Sequence, residues 1–114
     1  MSALTRLAEK VEAGTATPDD FVENGLMENI SAPKSAWKAY NGSLNAAKAL
    51  HEAVLPGWML PCWVSHFTNG KHGVTVEIYP LDPANSSEAI AEHTDPARAW
   101  LLAILRALAS TEPD

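Results

Sequence analysis

The apolar positions change period along this chain, and each change marks an element. Leu4, Leu7, Ala8 and Val11 recur at helical spacing, with Ser2 as a cap and Gly14 as a stop, and predict a helix over 2–13. Thr17-Pro18-Asp19-Asp20 is a second start: a capping threonine, a proline at the first helical position and a carboxylate placed to close a capping box. That helix is expected over 18–30, weakened at Gly25, with Pro33 ending the region. From Pro33 to Tyr40 the pattern leaves the element open; in a helical turn Trp37 and Tyr40 would share one face. Asn41-Gly42-Ser43 then starts a helix over 43–55. Leu44, Ala46, Ala47, Leu50, Val54 and Leu55 line its apolar side, and Pro56-Gly57 stops it.

At Trp58 the helical period disappears. Trp58 through Phe67 is rich in β-branched and aromatic residues, Asn69-Gly70 is a hairpin turn, and Val74-Thr-Val-Glu-Ile-Tyr79 alternates as a return strand. Strands are expected over 58–68 and 73–79. Pro61 costs a ladder bond, so the first strand is expected at an edge or bulged there. Glu88–His93 reads as a short third strand, since Pro96 forces a fresh helix start just after it. That last helix, over 95–109, is capped by Asp95 and apolar on more than one side. Trp100, Ile104 and Leu108 form a face expected to meet the sheet. Ala99, Ala103 and Ala107 form a thin stripe expected to meet another helix, and Arg98 and Arg106 interrupt the apolar surface.

Helices around a small antiparallel sheet predict a single α+β domain spanning 1–114, with the sheet layered between helices as an α-β-α sandwich. Two segments add a resemblance. Gly42-Ser-Leu-Asn-Ala-Ala47 with Leu50 and Pro56-Gly-Trp58, and Ala91-Glu-His-Thr-Asp-Pro-Ala-Arg-Ala-Trp-Leu-Leu-Ala-Ile-Leu-Arg-Ala-Leu108, resemble a family of small phage and prophage proteins, the phage ABA-sandwich domain. The likeness rests on helix caps and packing residues over roughly half the chain. It implies a sheet between helical layers and a phage or prophage setting, with no catalytic residues to carry over. Thr17–Ile30 departs from the Leu-Asp-x-x-Ile pattern of that family's N-terminal region.

Charge and chemistry narrow the reading further. A net charge of −6 disfavours a phosphate-backbone binder, so no nucleic acid is expected as a partner; Lys34, Lys38 and Lys48 are the cations to test otherwise. The order helix–three strands–helix also occurs in double-stranded-RNA-binding domains, but Asp95-Pro-Ala-Arg98 lacks the lysines they need at the last helix. A single cysteine, Cys62, excludes an intrachain disulfide and a multi-cysteine zinc site. No signal-peptide core or membrane-spanning run is read, so the expected location is the cytoplasm of a bacterial host.

His51-Glu52 begins like a zinc-protease motif, but Leu55 stands where the second histidine is needed. His66 and His72 fall on opposite sheet faces if the turn has two residues. No metal or other cofactor is expected. Trp37, Trp58 and Trp63 are the candidate contact residues, with Trp58 and Trp63, five apart, expected on opposite faces of one strand. The leading expectation is a non-enzymatic accessory protein acting through protein contacts, with a protein partner or self-association. The competing one is a small-molecule binder or small enzyme with a pocket near Cys62, His66 and His93.

Overall fold

A computed structural model describes residues 3–23, 32–81 and 88–110. Five helices and three strands follow in the order α1 (Ala3–Ala13), α2 (Pro18–Glu23), α3 (Ala32–Tyr40), α4 (Leu44–Val54), β1 (Cys62–Thr68), β2 (Lys71–Ile78), β3 (Ala89–His93) and α5 (Pro96–Ser110). The fold is α+β, a three-stranded antiparallel sheet of order β1-β2-β3 packed against helices.

The local signals work as their chemistry requires. Ser43 Oγ accepts from the Ala46 N–H at 3.1 Å, and Asp95 Oδ1 accepts from Ala97 and Arg98 N–H at 2.9 and 3.2 Å. Each cap satisfies donors that the first helical turn leaves free. Asp20 Oδ2 takes the Thr17 N–H at 2.8 Å, while Oδ1 meets Lys10 Nζ at 2.8 Å and ties α2 to α1. Those contacts, the lysine first, hold the Asp20 carboxyl below its ordinary range. Beyond Glu23, the helix expected to residue 30 lies outside the described residues.

Residues 33–40 differ from expectation. They belong to a nine-residue helix, and Pro33 stands in its first turn instead of ending a preceding element. Proline has no N–H to offer, and first-turn N–H groups have no intrahelical acceptor, so the residue suits a start as well as a stop. Tyr40, Trp37 and Phe21 then join in one aromatic cluster, with centroids 5.6–5.9 Å apart.

The hairpin turn places Asn69 and Gly70 at φ 54° and 78°, the left-handed pair of a two-residue type I′ loop. The resulting register pairs Thr68 with Lys71, Phe67 with His72 and Cys62 with Glu77. Beyond Cys62 the pairing resumes at Trp58 with Pro80. Three residues on the first strand (59–61) therefore face two on the second (78–79), a bulge that contains Pro61 and spares the ladder its missing donor. β1 is also an edge strand, so both conditions anticipated for Pro61 hold together.

Packing around α5 departs in part from the expected assignment of its faces: Trp100 meets the sheet as expected, and the alanine stripe does not turn to a helix. Trp100 meets His51 of α4 and Trp63 of β1, while Arg106 reaches the Ile90 carbonyl of β3 and Glu12 of α1. On a helical wheel Ala99, Ala103 and Ala107 fall between Trp100 and Arg106, and so face the sheet between β1 and β3. Leu101, Leu102, Ile104 and Leu105 fill the opposite arc, toward α1, α3 and α4. The sheet's inner face offers Val74, Val76, Ile78, Ala89 and Ala91. The small alanines thus stand beside the valines, isoleucine and alanines of the sheet, and the larger leucines fill the space toward the other helices.

Among the described residues the layers therefore run sheet, α5, then the other helices. The sandwich expected from the sequence is filled on one sheet face, and the second face, with Val64, Ile90 and Glu92, is exposed.

The two arginines of α5 are clamps. Arg98 Nε donates to the Tyr40 carbonyl at 2.6 Å at the C-terminus of α3, and its guanidinium lies 4.1 Å over the Tyr40 ring. Orphan helix-end carbonyls and the negative end of the helix dipole both favour a cation there. Arg106 donates to Ile90 at 2.9 Å and to Glu12 at 2.8 Å, joining β3 to α1.

Candidate interaction surface

Two edges bound the sheet, and they differ in protection. On β3 the Ile90 carbonyl is occupied by Arg106. On β1 the sequence Cys-Trp-Val-Ser-His-Phe-Thr holds no lysine, arginine, aspartate or glutamate, and no proline within the strand. Edge strands are ordinarily blunted by such residues. Met59, Leu60, Trp63, Val64 and Phe67 are exposed on β1 or its flanking bulge, with Leu81 exposed just past β2 opposite Gly57; Leu44 of α4 and Ile90 of β3 are the exposed large apolar residues elsewhere among the described residues. Phe67 reaches 75% exposure, with its ring 5.2 Å from His72. Among the described residues, apolar surface is therefore concentrated beside the β1 edge.

The three tryptophans singled out from the sequence fall into different settings. Trp37 is half-buried in the aromatic cluster with Phe21 and Tyr40. Trp58 is half-buried against the core. Trp63 is 41% exposed, with its ring edge-on to Trp100 at 5.5 Å. Trp58 and Trp63 do not point to opposite faces. Trp58 pairs with Pro80 and Trp63 with Val76, both in the row of Ile78, so both tryptophans lie on the helix side. The extra residue in the bulge changes the parity that simple alternation assumes.

The other candidates separate. His66 Nε2 lies 3.2 Å from Thr75 Oγ1 and 3.5 Å from Glu92 Oε2 on the exposed sheet face. One nitrogen faces both groups, so the ring cannot take a proton from the hydroxyl on one side while the carboxylate orients it from the other. The His66 ring lies across Gly73, where a Cβ would come within 2.6 Å of Cε1. His93 Nδ1 instead accepts the Asp95 N–H at 3.0 Å. Burial, then the nearby Arg98 charge, lowers its pKa. His66 and His93 both border an open hollow of about 450 Å³ at the hairpin end, which Cys62 does not line.

Cys62 is exposed four residues away along β1. It adjoins Tyr79, whose hydroxyl is held protonated, its pKa pushed up to about 12, chiefly by a hydrogen bond to the Glu77 carboxylate. Among the described residues no three histidine, cysteine or acidic side chains are grouped to hold a metal ion. Lys34 and Lys38 are exposed on α3, while Lys48 faces Glu52 at 3.7 Å.

His51 has a core role that the sequence only half reveals. It is 1% exposed, its Nδ1 accepts the Trp100 indole N–H at 3.2 Å, and its Nε2 faces the Trp58 carbonyl at 3.4 Å. That pattern requires the neutral ring with its proton on Nε2. Burial, the largest cause, lowers its pKa accordingly.

No described helix is long and apolar enough to cross a membrane. Comparison with protein-family models, curated proteins and solved structures gave no match to this chain.

Proposed function

We propose that this protein is a non-enzymatic interaction module whose working surface is the β1 edge with its exposed apolar side chains. The resemblance of residues 42–58 and 91–108 to the phage ABA-sandwich domain supports a phage or prophage setting for that module, within the host cell. One observation carries the reading: among the described residues nothing bonds the outer β1 edge, and most of the exposed large apolar side chains lie beside it, while on the β3 edge Arg106 takes the Ile90 carbonyl. Backbone groups free to pair, with large side chains beside them, are the means by which strand addition obtains affinity and specificity. The competing reading gains little from the titratable groups: His66 and His93 share the rim of the hairpin-end hollow but bond to different partners, and Cys62 does not line it.

A photo-crosslinking residue at Val64, compared with one at the exposed Lys48 of α4, tests this in host cells. Polypeptide adducts formed at position 64 and absent at 48 are expected. They should persist in Cys62→Ala and His93→Ala chains. Equal adducts at both positions, or none, would refute the proposal.

A further inference from the structure

We infer that the partner of the β1 edge is a second copy of this chain, joined antiparallel about Ser65 to make a continuous six-stranded sheet; this rests on the reading of β1 as a contact surface. The hairpin sets the geometry. In a two-residue type I′ turn the closing pair, Thr68 and Lys71, exchanges both backbone bonds, so Cys62, Val64 and His66 also turn their N–H and C=O toward β2. Trp63, Ser65 and Phe67 turn theirs outward.

Those three residues are spaced to pair with themselves. With Ser65 opposite Ser65 of the other copy, Trp63 falls opposite Phe67, and Phe67 opposite Trp63, so every outward backbone group meets one of the same set. Each cross-strand pair then joins two large aromatic residues exposed on the same side of the sheet, with a small serine at the axis. On the other side Val64 meets His66. An isologous contact of this kind closes on itself and leaves no further β1 edge exposed.

Charge favours a second copy over an acidic or basic partner. β1 holds no Lys, Arg, Asp or Glu, and the proposed register sets His66 opposite Val64, so self-pairing places no like charges directly opposite each other, although each copy carries −6 overall. The remaining repulsion is long-range, and salt screens it. The paired strands and aromatic overhang form a small interface, near the low end of the roughly 1,200–2,000 Å² of specific complexes, so the dimer is concentration-dependent.

Sedimentation of the full chain over a dilution series tests this. A shift from the mass of two chains to that of one on dilution is expected, with added salt favouring two. Ser65→Lys, which places two ammonium groups on the axis at an exposed position, should leave one chain at every concentration. A wild-type chain that stays single up to millimolar concentration, a dimer weakened by salt, or a dimer indifferent to Ser65→Lys would overturn the inference.

If that variant fails to fold, the wild type still decides. Amide exchange at Trp63, Ser65 and Phe67 should slow at high concentration and quicken on dilution; fast exchange at both overturns self-pairing. The two proposals fail separately. A single chain whose position 64 crosslinks to a different polypeptide refutes self-pairing alone, whereas no polypeptide adduct at position 64 refutes both.

Discussion

Replacing His51 by leucine should convert a pH-sensitive core contact into a pH-insensitive one, at a definite cost. The imidazole is 1% exposed and accepts the indole N–H of Trp100, itself 6% exposed. Leucine fills a similar volume but orphans that donor. A buried donor without a partner costs about 1–3 kcal/mol, and the lower desolvation cost of leucine offsets part, leaving a net loss of about 1–2 kcal/mol near neutral pH. The Trp58 carbonyl adds little, because its contact is long, at 3.4 Å, and the residue is only half-buried.

The same burial makes His51 a source of pH dependence. Its pKa in the folded chain lies below the ordinary 6.5, so on acidification the unfolded chain takes up this proton first. The neutral ring's contribution is therefore complete above pH 6.5 and is lost as pH falls toward the folded value. Between pH 7.5 and 5.5 the loss amounts to at most about 1.4 kcal/mol. His93 shifts in the same direction and leaves some pH dependence behind, whereas Asp20 acts only at lower pH, below its ordinary 3.8.

Urea unfolding at the two pH values, on wild type, His51→Leu, Trp100→Phe and the double variant, reads both effects. The His51→Leu chain should lose part of the wild-type acid sensitivity. The cycle should give a coupling of about 0.5–3 kcal/mol, because His51→Leu costs less once the indole donor is gone. Equal acid sensitivity in wild type and His51→Leu, or a coupling below about 0.3 kcal/mol, would refute the neutral-imidazole account.

Other outcomes follow from packing, capping and one close approach. Ala103→Leu should destabilise by about 1–3 kcal/mol, since the added atoms drive α5 away from β2 and β3; an unchanged denaturation midpoint would count against the close helix–sheet contact. Asp95→Ala should cost about 0.5–2 kcal/mol through the two N–H groups it leaves unbound at the start of α5, with Asp95→Asn retaining most of the stability by calorimetry. Gly73→Ala should move the His66 ring off Gly73 and away from Thr75, changing the His66 NMR signals while stability shifts by no more than about 1 kcal/mol; unchanged His66 signals would contradict the ring's position.

Sequence alone was enough for whatever depends on neighbours within a few residues. Ser43 and Asp95 as caps, Asn69-Gly70 as a two-residue turn, and Ala89–His93 as a strand ahead of Pro96 all follow from local backbone chemistry, because the groups that satisfy one another lie within one turn or hairpin. Pro33 shows the boundary of that legibility: proline fits the first turn of a helix as well as the residue after one, and its role emerges only where α3 packs Trp37 and Tyr40 against Phe21.

What only the tertiary structure decided was direction. The bulge at 59–61 turns Trp58 and Trp63 to the same side, through pairing with Pro80 and Val76, 22 and 13 positions along the chain. Likewise α5 is apolar almost all round, so its own period could not say whether alanines or leucines meet the sheet; the short side chains of β2 and β3 settled it. The contrast between the two sheet edges was equally hidden, because Arg106 reaches the β3 edge from 16 residues along the chain while nothing comparable reaches β1 among the described residues. Periodicity measures how apolar a face is, and long-range packing alone determines what that face meets.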